Sequence, residues 1–295
     1  MKSAILTALV LMLLPAMAFA DLRVAATTSN MGMLARTVGG DAVEVTVMAP
    51  PDRDAHYLEA RPSMMAALRR VDLVVAIGAD LEIGWLPAAL EGANNRNVRQ
   101  GTPGYFEAGR KIELLDTGTQ ADRGQGDVHP GGNPHFYLDP LRMGEIAVAL
   151  AERMGRLDSA NAGQYLENAE AFVARVEARM PGWRERLADA PGFVDFHGDA
   201  RYLEHLFGVP MYGTLEPLPG IPPTARHLRS LVEDLRGREG VITRAVFHPG
   251  EAAAFVADEL DWPSYVLPLH VAVDGDVSDY LALIDQWVSA LSGES

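Results

Sequence analysis

Strand-like and helix-like segments alternate along this chain in two separate runs, and this alternation restricts the folds that the chain can adopt. The first run predicts strands at residues 22–26, 43–48 and 71–77, with helices at 31–39 and 62–70. The second run predicts strands at 193–197, 209–212, 245–248 and 265–270, with helices at 199–207, 224–235, 251–260 and 278–291. Because strands that alternate with helices form parallel sheets, the sequence predicts an α/β fold with two lobes, each a mainly parallel sheet flanked by helices.

A long helical tract separates the two runs. Residues 141–155 predict one helix, and residues 161–187 predict another that contains Pro181. The second helix would be about 40 Å long, which suits a rigid connection between two lobes. We therefore expect an N-terminal lobe at 21–158, a connecting helix at 159–189 and a C-terminal lobe at 190–295. A cleft should lie between the lobes.

The N-terminus has the pattern of a secretory signal peptide over residues 1–20, with cleavage after Ala20. Its apolar run is shorter than the roughly 18 residues that a membrane span needs, so we expect no membrane insertion after cleavage. The mature chain would begin at Asp21 and act in the periplasm. The sequence contains no cysteine, which excludes disulfides and thiolate ligands and leaves histidine, carboxylates and backbone oxygens to bind a metal.

The formal net charge of −15 argues against nucleic acid and anionic lipid as partners. It favours a cationic ligand, although an acidic surface also serves solubility.

Histidines are concentrated where ligands bind in α/β sheets, beyond the carboxyl ends of the strands. His197, His248 and His270 end predicted strands of the C-terminal lobe, whereas Asp54 and His56 follow the strand at 43–48. Two further histidines, His129 and His135, lie in the segment GDVHPGGNPHFYLDP (126–140), whose Gly and Pro residues predict a stiff, turning loop. Several imidazoles on loops that face one cleft can supply the neutral nitrogens that Zn²⁺ requires. His205 and His227 fall on predicted helices and are interpreted as surface residues.

Five motifs resemble a known family: DAHYLEARPSMMAALRRVDLVVAIGADLEIGWLP (54–87), NPHFYLDP (133–140), FHGDARYLEHLFG (196–208), LEPLPGIPPTARHL (215–228) and DYLALIDQWVSAL (279–291). They are similar to the metal-binding substrate-binding proteins of zinc and manganese ABC transporters. The resemblance spans essentially the whole mature chain. It implies one metal ion in the interlobe cleft and delivery to a permease with its ATPase. We expect a monomer; loading by a metallochaperone is left open.

The resemblance places the family's metal ligands on His56, His135 and His197. Three imidazoles favour Zn²⁺ as the transported ion over Mn²⁺, which prefers oxygen donors. A Mn²⁺ or Fe²⁺ carrier of the same family is the alternative. Many relatives take a fourth ligand from an Asp-x-Leu sequence after the last strand, but this chain reads Leu267-Pro-Leu269. The fourth position is therefore open.

Several groups could fill the fourth position. The candidates are His248, Asp54, Asp274, His129 and a water molecule. His129 is also a candidate accessory residue for metal capture, as the remnant of a longer His-rich loop. Carboxylates that could orient the imidazoles are Asp139, Asp195, Asp199 and Glu59, with Asp139 favoured as a helix N-cap before Pro140.

Other functions are less well supported by the sequence. His56-Tyr-Leu-Glu59 matches the short His-x-x-Glu pattern of zinc carboxypeptidases, but no His-Glu-x-x-His is present. The absence of Gly-x-Ser-x-Gly argues against a serine hydrolase. We expect a binding protein and no enzyme. An adhesin or a metal chaperone could use the same fold. Enclosure of the metal would favour a carrier, whereas an enzyme would need an open coordination position.

Overall fold

The computed structural model describes residues 21–118 and 128–294. The predicted signal peptide at 1–20 lies outside the described residues, as does the segment 119–127 before His129. The described part of the chain forms two sheets of four strands each, with helices on both faces of each sheet.

All strands of the first sheet are parallel, in the order β2-β1-β3-β4. The strands are β1 (Leu22–Ala26), β2 (Val43–Val47), β3 (Leu73–Ala76) and β4 (Tyr105–Glu107). Three helices connect them: α1 (Ser29–Gly39), α2 (Pro62–Leu68) and α3 (Leu86–Ala93). Both faces of β3 are buried, because Leu73 and Val75 pack into one core and Val74 and Ala76 into another. A strand covered on both sides has the continuous apolar sequence that is typical of parallel sheets.

The second sheet repeats this arrangement in the order β6-β5-β7-β8, again with all strands parallel. Its strands are β5 (Phe193–Asp195), β6 (Met211–Thr214), β7 (Val241–Ala245) and β8 (Ser264–Leu267). The helices of this lobe are α6 (Arg201–Phe207), α7 (Ala225–Leu235), α8 (Glu251–Leu260) and α9 (Val277–Ser292). The predicted fold class of two parallel α/β lobes is confirmed.

Two long helices lie between the sheets in sequence, α4 (Pro140–Leu157) and α5 (Ala162–Leu187). The 26 residues of α5 correspond to about 39 Å, and the helix continues through Pro181. Its buried residues recur at helical spacing: Tyr165, Ala169, Phe172, Val176, Met180, Trp183 and Leu187. This stripe packs against α4 and α1 of the first lobe and against α9 of the second. One hydrophobic core therefore extends along α5 from one lobe to the other.

Three strands of the second lobe end earlier than the sequence predicts, and one of them, β7 (Val241–Ala245), overlaps the predicted 245–248 only at Ala245. The fourth, β6 (Met211–Thr214), ends two residues after the predicted 209–212. Pairing in β5 stops at Asp195, in β7 at Ala245 and in β8 at Leu267. His197, His248 and His270 therefore lie in the loops two or three residues beyond the strands. They remain at the carboxyl edge of the sheet, because a loop continues in the direction of its strand.

A second connection joins the lobes at the start of α1. Asn30 donates from Nδ2 to the carbonyl oxygen of Leu269 (2.8 Å) and accepts at Oδ1 from the amide of Val271 (3.0 Å). Ser29 Oγ donates to the carbonyl oxygen of Val271 (2.7 Å). Asn30 is fully buried, so these bonds are shielded from water.

Among the residues that the structure describes, no helix combines the length and the apolar composition needed to cross a membrane.

We expect Asn30→Ala to lower the free energy of unfolding by about 2 to 4 kcal/mol, because it leaves a buried carbonyl and a buried amide without partners. Urea titration of the metal-free protein would measure the change. The matched control is Asn97→Ala, since Asn97 is exposed and its substitution should change stability little. Equal urea midpoints for the two variants would contradict a stabilising role of Asn30.

Candidate metal site

The three histidines predicted as metal ligands come together between the carboxyl edges of the two sheets. The ring centroid of His56 is 5.3 Å from that of His135 and 5.5 Å from that of His197. The centroids of His135 and His197 are 5.4 Å apart. The three rings thus form a nearly equilateral triangle.

His56 is held by a short loop after β2. Asp54 accepts at Oδ1 from the backbone amide of His56 (2.9 Å) and lies 2.6 Å from its ring Nδ1. Trp85 Nε1 donates to the carbonyl oxygen of Ala55 (2.9 Å), which attaches the loop to the first lobe. Burial raises the pKa of Asp54, but its hydrogen bonds from His56 outweigh this and lower the pKa to about 2. Asp54 is therefore ionised near neutral pH and can orient the imidazole.

His135 is positioned by the Asn-Pro-His turn that precedes α4. Asn133 accepts at Oδ1 from the amide of His135 (2.9 Å), and Tyr202 Oη donates to the carbonyl oxygen of Asn133 (2.7 Å). The ring Nδ1 of His135 lies 2.8 Å from Tyr137 Oη. Burial, followed by the charges of the neighbouring histidines, lowers the pKa of His135 well below its usual value. A neutral imidazole is the form that binds metals.

His197 follows β5 and contacts a carboxylate from the loop after β6. Its ring Nδ1 lies 2.7 Å from Glu216 Oε2, which also accepts from the amide of Gly220 (2.8 Å). Burial lowers the pKa of His197, but the hydrogen bond to Glu216 and the charge of Asp199 outweigh this effect and raise the pKa to about 9.

All three rings share one arrangement, in which Nδ1 contacts an oxygen of the protein and Nε2 remains for another partner. The oxygens belong to Asp54, Tyr137 and Glu216. Metal-ligating histidines typically have such a contact at the nitrogen that does not bind the metal, because it fixes the tautomer and the ring orientation. Within the described residues, Nε2 of His135 is buried and has no hydrogen-bond partner.

His129 lies at the edge of this triangle. Its Nε2 is 3.0 Å from Nε2 of His56, and its Nδ1 is 2.9 Å from the carbonyl oxygen of Ala79. The turn that carries Ala79 is fixed by the buried carboxylate of Glu82, which accepts from the amides of Ile77 (2.7 Å) and Gly78 (3.0 Å). His129 is thus placed by the first lobe and contacts a predicted ligand directly.

The ligand atoms form two overlapping groups. One atom each of His56, His129 and His135 lie within 4.8 Å of one another, and the same holds for His135, His197 and Asp199. His135 belongs to both groups. The two groups therefore place four further candidate ligand residues beside His135.

The site is enclosed. The side chains of His56, His135 and His197 are only 7%, 4% and 8% exposed. The cavity between them has a volume of about 10 Å³. That volume is close to the least that one water-sized particle needs, so the cavity suits a single ion and excludes an organic substrate.

The other candidates for the fourth ligand, Asp54, His248 and Asp274, differ in their contacts with the histidine cluster. Asp54 contacts the Nδ1 side of His56. His248 lines the cavity, but its Nδ1 accepts from the amide of Ala245 (3.2 Å) and its ring stacks on Phe196 at 4.2 Å. Asp274 is exposed, and its charge acts on Arg36. The structure does not bring Asp274 together with the histidines.

The carboxylates considered as orienting groups differ in their burial and hydrogen bonds. Asp139 accepts at Oδ1 from the amides of Leu141 (2.9 Å) and Arg142 (3.1 Å), which confirms it as the N-cap of α4. Glu59 is exposed, while Asp195 at the end of β5 and Asp199 in the loop that carries His197 are buried.

Sequence reasoning missed Tyr137 and Glu216 as contacts of the imidazoles. Tyr137 lies two residues after His135 in the sequence, so this contact could have been predicted from their proximity. Glu216 lies in one of the motifs that carry the family resemblance, but its contact with His197 spans 19 residues.

The two histidines predicted on helices differ in exposure. His205 is exposed on α6. His227 is half-buried, and its Nε2 lies 2.8 Å from the carbonyl oxygen of Thr214.

Comparisons with known proteins agree on one family. A family model described as the periplasmic component A of a zinc-uptake complex, ZnuA, matches residues 24–293. The metal ABC transporter substrate-binding lipoprotein ScbA of Streptococcus cristatus is 26% identical over 223 residues, which cover 73% of this chain and 68% of that protein.

Solved structures share the fold at low sequence identity. A crystal structure of ZnuA matches this chain with a TM-score of 0.77 at 23% sequence identity. The match covers 92% of this chain and 99% of that chain. The substrate-binding protein FpvC from Pseudomonas aeruginosa, solved in complex with Mn²⁺, has a TM-score of 0.78 at 22% identity, with 92% of this chain and 97% of that chain covered.

Buried His270 generates a prediction for stability against pH. Its burial lowers the pKa to about 4, below the unperturbed value of 6.5. The unfolded chain therefore binds more protons at this residue between pH 6.5 and 4, and the folded state loses stability as the pH falls through that window. We expect the metal-free His270→Gln variant to lose about 3 kcal/mol less than the wild type between pH 7 and pH 4, as measured by urea unfolding.

The same titrations of His205→Gln provide the control, since that histidine is exposed. If wild type and His270→Gln lost stability in parallel over this window, His270 would not be responsible for the acid sensitivity.

Proposed function

Since the chain belongs to the ZnuA family of periplasmic zinc-uptake components, we propose that it binds Zn²⁺ between its two lobes and delivers it to an ABC permease for import. Members of this family are metal-binding proteins of ABC transporters, of the zinc and manganese type, and they are not enzymes. They act outside the cytoplasm together with a permease and its ATPase. The choice of zinc and the roles of the individual residues are our proposal.

One observation supports the choice of zinc: three imidazoles converge, and each has its Nδ1 occupied by a protein oxygen. Once the ion displaces the proton of His197, whose pKa is raised to about 9, this set offers three neutral nitrogen donors. Mn²⁺ prefers carboxylate and carbonyl oxygens, whereas tetrahedral Zn²⁺ accepts imidazole readily. The manganese complex of FpvC indicates that a protein of this fold can hold either metal, so selectivity must come from the donor set.

The enclosure of the site supports a carrier over a hydrolase. A hydrolytic zinc site needs an open coordination position and a groove for its substrate. Here the cavity is about 10 Å³, and Glu59 of the His-x-x-Glu sequence is exposed. The geometry therefore suits capture of one ion.

We assign the ligand roles to His56, His135 and His197, and an accessory role in capture to His129. His129 suits this role because it contacts Nε2 of His56 from the less buried side of the site. We further propose that the chain is exported by residues 1–20 and acts as a monomer in the periplasm.

The first test is metal analysis of the purified mature protein, followed by titration with Zn²⁺ and Mn²⁺ against a chromogenic chelator. We expect one tightly held zinc per chain that excess manganese does not displace, because the imidazoles favour the softer ion. Preferential retention of manganese would refute the proposed selectivity, and no binding of either ion would refute the function.

We expect His135→Ala and His197→Ala each to weaken Zn²⁺ binding by about 100-fold or more, since each removes a ligand and not merely an orienting contact. His56→Ala should behave in the same way, and His129→Ala should have a smaller effect. His205→Ala is the matched control, because His205 is an exposed histidine on α6 of the same lobe as His197.

Circular dichroism would establish that each variant is folded. A folded His135→Ala protein with wild-type zinc affinity would exclude His135 from the ligand set.

A further inference from the structure

Asp199 is a buried carboxyl group that has an oxygen without a hydrogen-bond donor. It is 2% exposed, and its Oδ2 has no hydrogen-bond partner within the described residues. Two imidazole nitrogens approach it without forming a hydrogen bond: His135 Nδ1 lies 3.5 Å from Oδ1, and His248 Nδ1 lies 3.8 Å from Oδ2. A buried polar atom without a partner is unfavourable, and an ionised carboxylate at this depth needs a cation to compensate its charge.

Asp195, four residues earlier, shows how this fold accommodates a carboxylate that is purely structural. It is fully buried, but it accepts hydrogen bonds from the amides of Gly198 and Ala200 (both 3.1 Å) and from Thr243 Oγ1 (2.9 Å). Both of its oxygens are engaged within the protein. Asp199 has no comparable set of donors, so its Oδ2 is available to a partner from outside the chain.

The unpaired oxygen lies in the cavity of the histidine cluster. Three buried side-chain atoms without partners occur among the described residues, and all three belong to residues that line this cavity: His135 Nε2, Asp199 Oδ2 and His270 Nδ1. Ligand atoms of Asp199, His135 and His197 also lie within 4.8 Å of one another. Ligand atoms around a tetrahedral zinc are about 3.3 Å apart, so a single ion can draw this group together.

We propose that Asp199 is the fourth, anionic ligand of the transported ion and binds it through Oδ2, alongside His56, His135 and His197. This inference rests on the proposed function of the site. It fills the position that Leu267-Pro-Leu269 leaves open, and it does so from the loop after β5 instead of the segment after β8. One loop of the second lobe then supplies two ligands, His197 and Asp199.

The donor set of three imidazoles and one carboxylate has chemical consequences. It leaves the complex of a divalent ion and its four ligands with one positive charge. The nearby carboxylates of Asp54 and Glu216 can balance that charge through His56 and His197. Four donors from the protein also leave no coordination position for a water molecule, as expected of a closed site.

His248 is the rival for this position. It lines the same cavity, with its ring centroid 6.1 Å from that of His197. However, its Nδ1 already accepts from the amide of Ala245, and its ring is fixed by stacking on Phe196. Because Nδ1 accepts, the proton of the neutral ring is on Nε2. Coordination through either nitrogen would therefore require the loss of the hydrogen bond from Ala245.

The test compares Asp199→Asn with His248→Gln, using zinc affinity from competition with a chelator and the visible absorption of the Co²⁺-loaded proteins. We expect Asp199→Asn to weaken Zn²⁺ binding by about 10-fold to 100-fold and to alter the Co²⁺ spectrum, because an anionic donor is lost. His248→Gln should change neither quantity. The metal-free Asp199→Asn protein should be folded and at least as stable as the wild type, since it no longer buries an unpaired carboxyl group.

X-ray absorption of the zinc-loaded wild type provides a second measurement that does not depend on any variant. We expect three imidazoles in the coordination shell; four imidazoles would overturn the proposal. A weakened Asp199→Asn protein whose Co²⁺ spectrum is unchanged would also overturn it, because Asp199 would then only position a ligand.

The failure of this inference can be distinguished from failure of the proposed function. If Asp199→Asn binds zinc like the wild type while His135→Ala does not bind it, Asp199 is excluded and the carrier function stands. If the wild type itself binds no zinc, both proposals fail.

Discussion

The hydrophobic stripe of α5 is the constraint on which the rest of this molecule depends. It packs against α1 and α4 on one side and α9 on the other, so a single core includes residues of both lobes. Each sheet is attached to this core through alternate strand residues, such as Val75 of β3 and Phe193 of β5. The direction of both sheets is thereby fixed, and their carboxyl edges meet at the cleft. The loops that carry the histidines follow from that arrangement.

Electrostatics then determine what the cleft can hold. Burial disfavours charged imidazoles, and His135 accordingly has a lowered pKa and a free Nε2. The carboxylates of Asp54 and Glu216 act at Nδ1 of their histidines, where they orient the rings without occupying the metal-binding nitrogens. Negative charge thus surrounds the three imidazoles, and a bound cation would displace the proton that the carboxylates stabilise on His197. A divalent cation is the occupant that this distribution favours.

The sequence predicted most of the architecture because its strongest signals are local. Apolar strands and helical periodicity identified both α/β runs and the long helix. The element α3 (Leu86–Ala93) and the three-residue strand β4 (Tyr105–Glu107) were missed, since short elements between Gly residues carry little periodic signal. The strands before His197 and His270 were predicted too long at their carboxyl ends, because buried apolar residues such as Phe196 and Leu269 continue past the last paired residue. The strand before His248 was predicted three to four residues too late in the sequence.

The candidate site could be predicted only in part, because some of its contacts join residues that are distant in sequence. His56, His135 and His197 stand in motifs whose spacing is visible in the sequence. The contact of Glu216 with His197 and the isolation of Asp199 are properties of the tertiary structure, and no short pattern encodes them. A carboxylate such as Asp195 has the same local sequence context as Asp199. Only the hydrogen bonds around each one separate a structural role from a candidate ligand.

Two of the connections between the lobes also restrict how an enclosed ion could leave. A rigid rotation that widened the cleft would bend the continuous core along α5 and break the buried hydrogen bonds between Asn30 and the segment at Leu269 and Val271. A rearrangement confined to the loops around the site would break neither. His129 contacts His56 from the less buried side, whereas Asp199 lies deep in the second lobe. The lower energetic cost therefore favours exchange at the His56 and His129 side, with the loop of His197 and Asp199 remaining in place.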